Sequence, residues 1–295
     1  MTSKTIFAKL FELNLAVVFI STSGVLGRYI DMPVPTTTLM RAFIACIILF
    51  VYCKIRRFDL NIQSKDRKTI ILGGLLLGAH WITYFYSLQL SNVAIALLSL
   101  YTFPAITAVL EPILLKEKLL RVHLMLCVMI ILGIYLLVPD FNLKNGHFSA
   151  VCLGLISAFC YAIRNILIKS KVDHYNQSVL MFRQLVIVSI FLFPVLFLFD
   201  HSNIVANLPA TLFLAILTTA IGHTLFVSSL RHFSTTSASL MSSLLPVYGI
   251  ILAVIFLGEY PSMTTLFGGF VILSAVVLES IRVKKLDNSI NNDQL

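Results

Sequence analysis

The sequence is short of charge, of acid and of tryptophan. Only 12% of its 295 residues are charged, a single tryptophan is present, and 13 Asp and Glu stand against 22 Lys and Arg. A chain so thin in charge and 58% hydrophobic is neither disordered nor an ordinary soluble domain. Several motifs are missing as well. There is no HExxH, no paired aspartates and no nucleophile beside a base, which argues against an intramembrane enzyme. Gly74 and Gly78 have GxxxG spacing in an apolar run, which serves close helix packing rather than a phosphate loop. Cys46, Cys53, Cys127, Cys152 and Cys160 form no close CxxC pair. They read as reduced, buried small residues, and neither a metal nor a cofactor is implied. No A-x-A signal follows the first apolar run, which Glu12 and Asn14 interrupt. That run reads as a retained helix and not a cleaved leader.

What is present is apolar sequence in long blocks. About 20 apolar residues make a helical span. Ten such spans fit the chain, at residues 10–27, 34–53, 69–89, 92–115, 119–138, 148–168, 177–199, 209–229, 233–257 and 262–281. Stretches such as Ile70–Leu77 and Leu124–Val138 are continuously apolar. Barrel strands would alternate apolar and polar residues, so a barrel is excluded. The reading is an all-α polytopic membrane protein of ten transmembrane helices, with a polar tail at 283–295.

The net charge of +9 follows from orientation. With the N-terminus in the cytoplasm, seventeen of the 22 basic residues fall on inner connections and tails, and only Arg28 and Lys144 fall outside. This positive-inside bias places both termini in the cytoplasm, and no nucleic-acid partner is needed to explain it. The remaining three, Arg41, Arg164 and Arg183, lie inside spans, where a charge faces a bundle interior, a partner or a watery path.

Displacing the chain by 142 residues superposes Arg41 on Arg183, Ser87 on Ser229, Pro104 on Pro246 and Glu117 on Glu259. Residues 1–140 and 147–282 thus form two five-helix repeats. An odd number of helices inverts the second in the membrane, an arrangement typical of secondary transporters. Leu39-Met40-Arg41-Ala42-Phe43 matches Met181-Phe182-Arg183-Gln184-Leu185, and Phe103-Pro104 with Leu115-Lys116-Glu117 matches Leu245-Pro246 with Leu257-Gly258-Glu259. On these residues the chain resembles the drug/metabolite transporter superfamily, specifically its EamA-type members. The resemblance implies a substrate cavity between the halves, walled mainly by spans 1, 3, 4, 6, 8 and 9. It also implies amino-acid-like cargo, export, and a bacterial-type cytoplasmic (inner) membrane.

Those same spans hold most of the polar and aromatic residues. The candidate substrate-binding set is Thr22, His80, Trp81, Tyr84, Tyr101, Tyr161, Arg164, Asn165, His223 and Ser243. Trp81 and His223 share the repeat register, so their rings and N–H groups either line a cavity or only join helices. Arg164 either holds an anionic group through its bidentate fork or snorkels to the interface. It has no counterpart in the first half, where Thr22 occupies the register, and so reads as specific to this chain's cargo. Arg41 and Arg183 read mainly as architecture. Pro104 and Pro246 are candidate hinges or packing kinks. No Asp or Glu lies near the midplane, so ion coupling, where present, would fall to His80 or His223.

The expectation is a non-ATP transporter of a small polar metabolite working by alternating access, and no enzyme. An organic-anion, nucleotide-type or phosphorylated-metabolite carrier is the alternative, and a lipid flippase or scaffold a further one. The expected partners are a small-molecule substrate, the lipid bilayer and a second copy in a homodimer.

Overall fold

The computed structural model describes residues 3–115, 125, 128–129, 131–133, 135–136, 146–200, 202–274 and 277–278. The side chains of residues 3–7, Leu115, Leu240 and Ser243 lie outside that description. Among the described residues the chain is helical, with no strand. Seven helices are long and apolar enough to cross a membrane. In chain order they are Ala8–Tyr29, Val34–Ile55, Ser64–Leu90, Val93–Leu114, Gly146–Lys169, Gln177–Leu198 and Ile204–Ser229. They correspond to spans 1 to 4 and 6 to 8. Shorter apolar helices, Leu245–Leu257 and Met263–Ser274, occupy spans 9 and 10. Of span 5 only residues 125, 128–129, 131–133 and 135–136 are described, and the polar tail lies outside the described residues.

Local chemistry sets where these helices start, break and stop. The side chain of Asn92 accepts from the Ile95 N–H at 2.9 Å and so caps span 4. Asn176 caps span 7 in the same way through Ser178 N–H, at 2.9 Å. Span 4 is two helices, Val93–Leu100 and Phe103–Leu115, with the break just before Pro104. Span 9 repeats the pattern: Thr235–Met241, a 3-10 turn at Ser242–Leu244, then Leu245–Leu257, with Pro246 near the start of the last piece. A proline removes an N–H and crowds the preceding turn, so each break falls where the ladder is already weakened. Gly258, at φ 66°, closes span 9 in the left-handed conformation.

The main helix contacts join residues before 140 to residues after 146. Span 3 packs most extensively on span 6, span 1 on spans 8 and 9, and span 2 on span 7. Span 3 also meets span 7, and Gly74 permits that approach, since a Cβ there would stand 2.7 Å from Ile187 Cβ. Outward, Phe43, Ile47, Phe191, Phe197 and Phe267 are exposed, as a lipid-facing surface requires.

The connections gather on two opposite faces. On the more basic one, Lys171 Nζ donates to Asp66 at 2.8 Å, and Tyr175 Oη donates to the same carboxylate at 2.8 Å. Arg183 Nε donates to the Leu60 carbonyl at 3.0 Å, and Arg231 Nε to the Val172 carbonyl at 2.9 Å. On the other face, Arg28 Nε meets Glu259 at 2.9 Å, and Asp31 N–H donates to Asn207 at 3.0 Å.

Two carboxylates tie spans 4 and 9 together reciprocally. Glu259, just past span 9, accepts from the Val93 N–H that opens span 4, at 2.8 Å. Glu111, near the end of span 4, accepts from the N–H groups of Thr235 and Thr236 that open span 9, at 3.1 and 2.9 Å, and from the Thr236 hydroxyl. Val93 and Thr235 are 142 residues apart, the interval of the sequence repeat. Each fourth helix therefore ends in an acid that caps the fourth helix of the other half, once on each face.

Candidate functional site

A small cavity of about 30 Å³, room for a water or two, lies between the halves. Its wall comes from spans 1, 3, 4, 6, 8 and 9, and from span 2 through a single residue, Arg41. The breaks in spans 4 and 9 bring in Tyr101 and Ser242.

Arg41 is 1% exposed and is held on three sides. Its Nε donates to Thr219 at 3.1 Å, and Nη2 donates to Thr218 and Thr219 at 3.0 and 2.9 Å. The guanidinium lies over the Trp81 ring, 4.1 Å from its centre, in a desolvated cation–π contact. Both threonines belong to a wide-turned π-helical stretch, Leu214–His223. Such a turn re-aims side chains within an otherwise α-helical span. The Thr218 hydroxyl gives its own proton to the Leu214 carbonyl at 2.6 Å, which leaves its lone pairs for the arginine.

His80 faces span 6. Ser157 Oγ donates its proton to the His80 carbonyl at 2.8 Å, so the 2.7 Å contact from His80 Nδ1 to Ser157 Oγ requires the hydrogen on Nδ1. The neutral ring therefore carries its lone pair on Nε2. Tyr161 stacks on His80 at 4.4 Å between ring centres, and His223 meets Trp81 edge-on at 5.5 Å. Among the described residues, four buried polar atoms on the wall have no well-formed hydrogen bond: Trp81 Nε1, Tyr84 Oη, Tyr101 Oη and His223 Nδ1. The hydroxyls of Ser23 and Ser242 are the polar neighbours of the two tyrosines. Unpaired buried groups are costly and rare, and here they converge on one cavity.

Of the residues singled out by sequence, His80, Trp81, Tyr84, Tyr101, Tyr161 and His223 are brought together here. Arg164 and Asn165 stand behind the wall, fully buried. Arg164 Nε donates to Gln184 at 2.7 Å, Nη1 to Asn165 Oδ1 at 2.9 Å, and Nη2 approaches Met181 Sδ at 3.5 Å. Thr22 lies elsewhere, on an outer apolar groove with Phe213, Leu217 and Phe256. The Ser243 side chain is outside the described ones. Arg183 reaches the Leu60 carbonyl near the basic face. Arg41, which the repeat marks as architecture, is the arginine that lines the cavity. Its position on span 2 hid this: the side chain reaches the cavity beside Thr218 and Thr219, on the π-helical stretch of span 8.

Comparison with known proteins agrees with this architecture. A family model described as the EamA-like transporter family matches residues 10–138 and again residues 148–281. An uncharacterized transporter of Bacillus subtilis, YxxF, is 23% identical over 291 residues, covering 95% of this chain and 92% of the relative. An uncharacterized transporter of Archaeoglobus fulgidus is 23% identical over 265 residues, 90% of this chain and 93% of its own. A solved crystal structure overlays with a TM-score of 0.71 at 16% identity, over 95% of this chain and 98% of that one, a likeness of fold.

Proposed function

We propose, from the premise that this chain belongs to the EamA-like transporter family, that it is a secondary carrier moving a small polar metabolite through the central cavity. The carrying observation is the cluster of unpartnered polar atoms inside a closed space between the two halves. A bundle that only needed to pack would have paired those groups or replaced them with apolar ones. Amino-acid-sized cargo and outward movement are the reading that the resemblance favours. The resemblance favours the cytoplasmic membrane, and the distribution of basic residues supports both termini inside.

The mechanism is alternating access between two inverted five-helix units, residues 1–140 and 147–282. In the present state the cavity is contracted and both faces are tied, at Glu259–Val93 with Arg28 and at Glu111–Thr235. Substrate enters when one tie opens and leaves when the other does. The breaks before Pro104 and beside Pro246 are the bending points, because the ladder is interrupted there.

The test is efflux from proteoliposomes loaded with an equimolar mixture of amino acids, hydroxy acids, oxo acids and nucleosides, followed by mass spectrometry. At least one class is expected to leave faster than from protein-free vesicles, and Trp81→Ala to slow it about tenfold or more, the scale of one lost desolvated ring contact. Equal loss of every compound from both kinds of vesicle would overturn the carrier reading.

A further inference from the structure

We infer that the guest of this cavity is a compact organic monoanion whose carboxylate is taken by Arg41. The inference rests on reading the cavity as the carrier's substrate site, and it names the class of substrate.

Charge comes first. Arg41 lines the cavity and is 1% exposed, yet its partners are two hydroxyls and a ring, not a carboxylate. Arg164 is fully buried behind Tyr161, with Gln184, Asn165 and Met181 as its neighbours. It lies within electrostatic reach of His80, Tyr161 and His223. Among the described residues, no Asp or Glu lines the cavity. The acids near spans 4 and 9, Glu111 and Glu259, are committed to helix ends on the two faces. A guanidinium cannot shed its proton to escape burial, so the missing counter-charge is one the guest supplies.

Hydrogen bonding points the same way. Arg41 spends Nε and Nη2 on Thr218 and Thr219, and the residue lines the cavity. Trp81 Nε1, a donor with no acceptor function, is unpaired at the same wall. The hydroxyls of Tyr84 and Tyr101 lie at the same wall, beside those of Ser23 and Ser242. The array is rich in donors and suits an acceptor-only group such as a carboxylate.

Specificity follows from what the wall lacks. An amino acid would bring an ammonium into a space that already holds one cation and offers no carboxylate. That leaves the charge of Arg41 uncompensated, whereas a monoanion neutralises it. The remaining wall is apolar, with Val17, Ile20, Leu97 and Leu245, and fits a short hydrocarbon body. A cavity of about 30 Å³ admits little more than the anionic group, so the walls must part to take the whole molecule.

The test uses three compounds that share an isobutyl group: 4-methyl-2-oxopentanoate, leucine and 3-methylbutan-1-amine. Each is titrated against the purified full-length protein, with binding read by calorimetry and by thermal shift. The oxo acid is expected to bind at least tenfold more tightly than leucine, and the amine to give no shift. Arg41→Gln is expected to abolish that preference, and Arg41→Lys to keep part of it. Because Arg41→Gln also cuts two helix contacts, the wild-type ranking stands as an independent criterion. A ranking led by leucine or the amine overturns the inference and leaves the carrier reading intact. Binding of none of the three also overturns it, while the loaded-vesicle efflux separately decides whether the protein is a carrier.

Discussion

Arg164 shows how a buried cation is kept without an acid. Gln184 accepts from it while donating its own amide to the Leu180 carbonyl at 3.0 Å, so that one amide both orients the arginine and stays paired. Gln184→Leu would strip the arginine of its shortest bond at constant burial. We expect a loss of about 2 kcal/mol, the range for hydrogen bonds to a charged group, read as a lower unfolding temperature for purified protein. At this scale the sequence is informative about residue type but not direction. Trp81 and His223 share a repeat register, and their rings do meet. Arg41, read mainly as scaffold, lines the cavity, and Arg164, read as a cargo contact, stands behind its wall. Nothing in a span of apolar residues tells which way a long side chain will reach. That depends on Thr218 and Thr219, and on the wide turn that presents them.

Among the elements, spans 4 and 9 carry the architecture. The prolines at 104 and 246 are visible in the sequence as a register pair, and the helices do break beside them. The acid caps are half visible. Glu259 has a register partner in Glu117, yet the cap on span 9 is supplied by Glu111. The repeat foretells a carboxylate near that helix end without choosing the residue. Gly258 is the joint that turns Glu259 back toward span 4, at φ 66°. Gly258→Ala forces a side chain into the left-handed region and is expected to cost about 1 kcal/mol. It should also weaken the Glu259–Val93 contact, read as faster amide exchange in the first turn of span 4.

For the whole molecule, the reciprocal caps make a balance. Glu259→Gln weakens the tie at the Arg28 face, and Glu111→Gln the tie at the face of Lys171. In a background without the native cysteines, Ser242→Cys reports which way the cavity opens. Glu259→Gln is expected to speed its labelling by a maleimide supplied from the Arg28 side, and Glu111→Gln from the other side. The carrier mechanism makes these opposite effects of one device. Labelling from one side only, whichever glutamate is changed, would show that the ties do not govern access. The helical membrane class was plain from composition. The closeness of the two halves was not, because the pattern of apolar residues marks a buried face without naming its partner.

The single tryptophan of this chain sits under Arg41 on the cavity wall, 1% exposed. Its fluorescence is therefore an optical reporter built into the native protein. Emission should start blue-shifted, as from an indole shielded from water. Any guest that displaces the guanidinium or pairs with Nε1 must change its intensity or wavelength. Occupancy can be followed in the unlabelled protein, with no second indole to dilute the signal.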